Sequence, residues 1–299
     1  MRYWGAALAV AAAALSGCSA GEVEPAPAPP SSSAGATADD PEADPDPARA
    51  ALALVPDDAT TLAVTDFDQV RLELGAALLT GASAPAEREA FWRRAIAQAP
   101  LLSTGVLRPS DARLLRDYGF AQDDVAWEAS FTGPSGEGWL AGLREGLDLT
   151  GVRRAVADGV GPLAGGVLDE EARVLAVGAA PDEGASWGAE PVLVELVGGA
   201  AMSTYVERGC VSPADPALDE LDELDELEAW SVSLGALLAT VRLGADRGDA
   251  FARVRLAEPP FAQGVADPVS GRLGYAMTDP ALAARRILAR DAPFAACAP

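Results

Sequence analysis

The sequence predicts an α+β fold, a mainly antiparallel sheet with helices packed on one face. Three observations lead there. Segments of period-two alternation come in adjacent pairs joined by short turns, which is the signature of hairpins. Segments with helical periodicity stand between those pairs. The resulting order of strand, strand, helix, strand, strand in the middle of the chain favours an antiparallel sheet over parallel βαβ units.

Taken in order, Thr60 to Thr65 (TTLAVT) combines β-branched and apolar residues and predicts a strand. Asp66 or Asp68 then offers an N-cap for a helix through Val70, Leu72 and Leu74. Pro85 to Ala99 predicts a second helix, with Phe91, Trp92, Ala95, Ile96 and Ala99 on one face. Ser110 to Tyr118 predicts a third, closed by Gly119. Asp124 to Thr132 alternates, Gly133 to Gly136 turns and Gly138 to Leu143 returns, giving a hairpin. Leu149 to Ala157 follows as a helix started by Asp148 or Thr150, and Leu163 to Leu168 with Arg173 to Val177 forms a second hairpin. Pro191 to Tyr205 is apolar enough for a buried helix, which Gly198 and Gly199 would break. Trp230 to Leu234, Leu237 to Leu243 and Ala250 to Leu256 are expected as strands. Leu273 to Thr278 is a last strand, after which Asp279 caps, Pro280 takes the first helical position and Ala281 to Ala289 is helical. Leu62 to Asp66 and Tyr275 to Asp279 both run strand, Thr-Asp, helix, a short match that raises an internal duplication as an expectation.

Ahead of this domain, Met1 and Arg2 precede an apolar run from Gly5 to Leu15, and Leu15-Ser16-Gly17-Cys18 closes it. The run has the length of a signal h-region and is too short for a membrane span, which needs roughly 20 apolar residues. The segment resembles the signal peptide and lipobox of bacterial lipoprotein precursors. The likeness implies a signal peptide over residues 1–17, cleavage before Cys18 and a diacylglyceryl thioether on its sulfur. The protein would then be anchored on the extracytoplasmic side of the cell membrane through that lipid. An ordinary secretory signal with an incidental cysteine is the alternative.

Residues 18–47 carry seven prolines among Ser, Ala and acids, with Val23 as the one bulky apolar residue. Such a segment buries too little surface to offset its ordering entropy, so it is expected as a disordered tether before a globular domain at 48–299. The leader, this spacer and Val55-Pro56-Asp57-Asp58-Ala59 running into the first strand are together similar to uncharacterised lipoproteins of high-G+C Gram-positive bacteria. That likeness implies a location and no activity.

Composition excludes more than it selects. All 22 basic residues are arginine, against 45 acids and no histidine. Losing Arg2 with the leader leaves 21 arginines and a net charge of −24. Such a chain repels nucleic acid, so no nucleic-acid partner is expected. Without histidine or lysine there is no Ser-His-Asp triad, His-ligated zinc, Schiff base or P-loop lysine. No catalytic residue, cofactor or metal is therefore assigned. With Cys18 lipidated, Cys210 and Cys297 remain on an oxidising side of the membrane, and an even remainder suggests one disulfide. Two buried free thiols are the alternative.

The candidate polar sites all have plainer explanations. Asp66-x-Asp68 sits at a strand end, where acids bind ligands, but helix capping accounts for both. Glycines near Gly161 to Gly166 lack the partners of a dinucleotide site. Asp219 to Glu228 (DELDELDELE) lacks the spacing of a calcium loop and is expected as a solvated loop or short helix, with a partner surface or a cation site as the alternatives. Five tryptophans follow the leader, and core packing is the expected role for most of them rather than a sugar platform. The expected function is non-catalytic binding or scaffolding. The alternatives are a solute-binding lipoprotein, which needs a cleft between parallel βαβ lobes, and a carboxylate-only hydrolase such as a glycosidase, with two acids facing across a groove.

Overall fold

A computed structural model describes residues 46–182, 184–212 and 223–298. The leader motif, Cys18, nearly all of the tether and the start of the acidic run (219–222) lie outside the described residues.

Ten strands form one sheet in which every strand pairing is antiparallel. In sequence they are β1 (Thr61–Asp66), β2 (Val125–Gly133), β3 (Gly136–Leu143), β4 (Val167–Asp169), β5 (Val174–Gly178), β6 (Ser203–Arg208), β7 (Ala229–Leu234), β8 (Leu238–Arg242), β9 (Phe261–Asp267) and β10 (Arg272–Met277). The helices are α1 (Pro47–Leu52), α2 (Phe67–Glu73), α3 (Pro85–Gln98), α4 (Asp111–Tyr118), α5 (Leu149–Ala157), α6 (Pro191–Leu196), α7 (Ala250–Arg255) and α8 (Pro280–Leu288).

Strand alternation assigns the side chains to two faces. On one face, Ala141, Leu143 and Leu175 meet α2 to α5 through Phe67, Phe91, Trp92, Leu114 and Val152. Farther along the same face, Trp230, Val232, Val241 and Tyr275 meet α7 and α8 through Ala250, Ala283 and Ile287. Helices α2 to α5, α7 and α8 thus share one face. Helices α1 and α6 cover the middle of the other, where Leu62, Val64, Phe131 and Val206 pack on Leu52, Leu193 and Leu196. That face is held close by two aromatic–glycine pairs across β2 and β3. Phe131 lies opposite Gly138 and Trp127 opposite Gly142. A Cβ on Gly142 would stand 2.0 Å from the Trp127 indole nitrogen, so the ring lies against bare backbone.

The two arms repeat one topology. From the central β1–β6 pair outward, one arm is β1-β2-β3-β5-β4 and the other β6-β7-β8-β10-β9. Each carries one helix between its third and fourth strands in sequence, α5 in the first and α7 in the second. The equivalence pairs β1 with β6 and β5 with β10. The short match between Leu62–Asp66 and Tyr275–Asp279 therefore joins strands at unlike places, the centre of one arm and the outer part of the other.

Several expectations are corrected. Ala250 to Leu256 is not a strand but the helix α7, because Arg253 is fully buried and pairs one turn back with Asp249, Nε to Oδ2 at 2.5 Å. Arg253 also donates to the carbonyls of Phe294, Ala296 and Asp225. Pro191 to Tyr205 splits: α6 ends at Leu196, Gly198 and Gly199 adopt positive φ, and Ser203 onward is the central strand β6. Strand β9 was not expected, since its Gln263, Gly264 and Val265 are exposed at the sheet edge and carry no apolar alternation. Ile96, placed on the buried face of α3, is 43% exposed. The body also starts slightly earlier than Ala48, with Asp46 capping α1 at Pro47 through the Ala48 amide.

Candidate functional site: a polar cleft at the end of β1

Asp66 is the last residue of β1 and the N-cap of α2, its Oδ1 accepting from Gln69 N at 2.9 Å. The strand-to-helix turn at Thr65-Asp66 places its carboxylate on the face under α1. Two hollows meet there. A pocket of 330 Å³ is walled by Val64, Ala48 and the Gly199–Ala201 turn, with Asp46, Asp66 and Thr204 as its polar groups. A wider cleft of 830 Å³ runs the other way, past Trp127, Asp68, Arg144 and Arg173. Asp66 and Pro47 line both.

The electrostatics of the two acids differ. Burial, helped by the nearby Asp68 charge, pushes the Asp66 carboxyl up to about 6, against the Gln69 and Asp68 amides and Arg71. Asp68 is instead held by cations: Arg71 Nη2 reaches its Oδ1 at 2.8 Å and Arg144 Nε at 3.1 Å. Both arginines are committed to structure, Arg71 donating also to Val125 O and Arg144 to the carbonyls of Leu79 and Ala77. Arg173 holds φ +55 and donates to the carbonyls of Arg144 and Leu147, which leaves its buried Nε without a partner. In the smaller pocket, Asp46 Oδ2 is also buried and unpartnered. Thr204 is 6% exposed, and its hydroxyl makes no hydrogen bond among the described residues.

A second polar centre lies on the helical face and is structural. Burial raises the Glu128 carboxyl, while Ser103 Oγ, Gln122 Nε2 and the Val106 amide donate to it at 2.5, 2.8 and 3.1 Å. Beside it, Thr65 Oγ1 accepts from the amides of Leu102 and Ser103. Together they fasten the segment after α3 to β1 and β2, with their acceptors engaged.

Of the sequence candidates, Asp66 is both a cap and a cleft residue, whereas Asp68 serves as an ion-pair partner. Cys210 and Cys297 stand at disulfide distance, Cα to Cα 4.8 Å, and join the end of β6 to the last segment of the chain. Trp92, Trp127, Trp139, Trp187 and Trp230 are all at most 9% exposed, so they form no sugar platform. Within the acidic run, Leu224 and Leu227 are buried and Glu223 pairs with Arg255. Among the described residues no cluster of three or more acidic or cysteine side chains could hold a metal ion, and no helix is long and apolar enough to cross a membrane. Sequence reasoning missed Asp46, Thr204 and Arg173. Only the proline-flanked Asp46 carried a signal, as a cap before Pro47. No protein-family model, curated protein or solved structure matches the chain.

Proposed function

We propose that the chain is a lipoprotein anchored on the extracytoplasmic side of the membrane through Cys18, whose body binds a ligand without catalysing a reaction. The observation that carries this reading is the joining of Cys210 to Cys297. Disulfides persist in oxidising compartments. The bond uses both cysteines of the body and leaves Cys18, directly behind Leu15-Ser16-Gly17, as the one thiol free for acylation. Two acyl chains give stable attachment where one gives marginal binding. The acidic segment between Cys18 and the body would be repelled by an anionic bilayer and act as a spacer.

The binding half of the reading rests on the cleft around Asp66. A second reading, hydrolysis by carboxylates alone, has in its favour the proton that Asp66 would hold up to about pH 6. Against it, Asp68 Oδ1 is held in ion pairs with Arg71 and Arg144. The two-lobed solute-binding alternative is disfavoured by the single antiparallel sheet. Mass spectrometry of the membrane fraction tests the anchor: it should find an acylated Cys18 at the new N-terminus. An intact Met1, or a soluble product, overturns it.

A further inference from the structure

The small pocket beside α1 has an unusual balance of acceptors and donors. Three of its polar side chains can accept: the Asp46 and Asp66 carboxylates and the Thr204 hydroxyl. Thr204 sits directly across from Val64 in the β1–β6 register, so its side chain shares the face that Asp66 occupies. A carboxylate has about four lone-pair positions, so the bond from Gln69 N leaves Asp66 with acceptor capacity. Arg242, a cation whose charge interacts with Asp46, donates to Ser233 Oγ at 3.1 Å and Gly198 O at 2.5 Å. Arg71, which acts on Asp66, donates from Nε and Nη2 to Asp68 and from Nη2 to Val125 O, while its Nη1 is buried without a partner.

We infer that this pocket binds a small organic cation, a primary alkylammonium. An ammonium group brings three donors and no acceptor, which matches Asp46, Asp66 and Thr204. Its methylenes find the apolar wall of Val64, Ala48, Pro47 and Ala200. An inorganic divalent ion would make no use of that wall. It also asks for six or more oxygen ligands, where the pocket offers the side chains of only two acids and a threonine. The volume of 330 Å³ falls at the small end of ligand sites, which run from about 300 to 1,000 Å³. The strongly negative chain raises the local concentration of cations and excludes anions. The inference deepens the binding reading given above and rests on it, but is independent of the lipid anchor.

The probe is putrescine, titrated calorimetrically into the full chain purified in detergent. Butanediol and calcium chloride serve as controls. Both acids are helix caps, and asparagine caps as well as aspartate. Asp46→Asn and Asp66→Asn therefore remove charge while keeping the fold, which a thermal melt verifies. Putrescine should bind with a stoichiometry of one and butanediol should not. Each Asn variant should weaken binding by about tenfold or more. Thr204→Val, which keeps the shape and loses the hydroxyl, should weaken it several-fold. The inference is overturned by no binding at millimolar putrescine, by equal binding in both Asn variants, or by a response to calcium alone. Those results leave the acylation of Cys18 untouched. A soluble, unacylated chain that still binds putrescine would remove the anchor and keep the pocket.

Discussion

At Asp66 two demands meet in one side chain. Capping α2 favours an ionised carboxylate, while burial between β1 and α1 opposes the charge. Burial dominates and raises the carboxyl to about 6, with Asp68 raising it further and Arg71 lowering it. The folded state therefore binds this proton more tightly than the unfolded chain does. The contribution to stability is present in full below the unfolded value near about pH 4 and is lost as pH rises through about 6. Asp66→Asn keeps the cap and abolishes the titration. Urea unfolding at about pH 7.5 should find the variant more stable than the natural chain by roughly 2–3 kcal/mol, a gap that closes at about pH 4. A variant equally or less stable at both values would show that burial does not govern this carboxyl. The Thr65-Asp66 signal was legible in the sequence as a cap, because capping is local chemistry. Its meeting with Thr204 and the Gly199–Ala201 turn was not, because those residues arrive from β6, far along the chain.

Elements with strong local signals were legible. The β2–β3 hairpin follows from period-two alternation around Gly133-Pro134-Ser135-Gly136, and α8 from the Asp279-Pro280 start, where Asp279 accepts from Leu282 N at 2.8 Å. Helix α7 was not, because Ala250-Phe251-Ala252-Arg253-Val254-Arg255 alternates like a strand. What makes it helical is the buried Asp249–Arg253 pair and the carbonyls that Arg253 gathers from the chain terminus. The same terminal segment is fastened a second time. Val211 N donates to Ala295 O and Cys297 N to Val211 O, both at 2.8 Å, beside the Cys210–Cys297 bond. Closing a loop across 87 residues contributes about 4–5 kcal/mol in the chain-entropy account, less any native strain. Cys297→Ser should accordingly lower the midpoint of urea unfolding and raise amide exchange first at Ala295 and Ala296. Unchanged stability on mutation or reduction would mean that the hydrogen bonds alone hold the segment.

On the scale of the whole molecule, the two arms have separate cores on the helical face. They share the core on the opposite face, to which Leu62, Val64 and Phe131 come from one arm and Val206 and Ala229 from the other. The β1–β6 pair also runs through the centre of the sheet, so separating the arms would expose two long strand edges. The body should therefore unfold as one unit. Tryptophan fluorescence and far-ultraviolet circular dichroism should give coincident denaturation curves. Two displaced transitions would show that each arm is an independent folding unit.

The sequence alone determined the fold class, most of the helices and hairpins, the caps and the one cysteine pair available for bonding. All of these follow from periodicity, turn chemistry or counting, which act over a few residues or over composition as a whole. The tertiary structure decided which strands are neighbours, that the arms repeat one topology about β1 and β6, and that a half-buried acid stands where two hollows join. Those outcomes depend on which faces find each other across long loops. A side chain's solvation, and with it its proton affinity, is set by those neighbours rather than by the residues beside it in the chain.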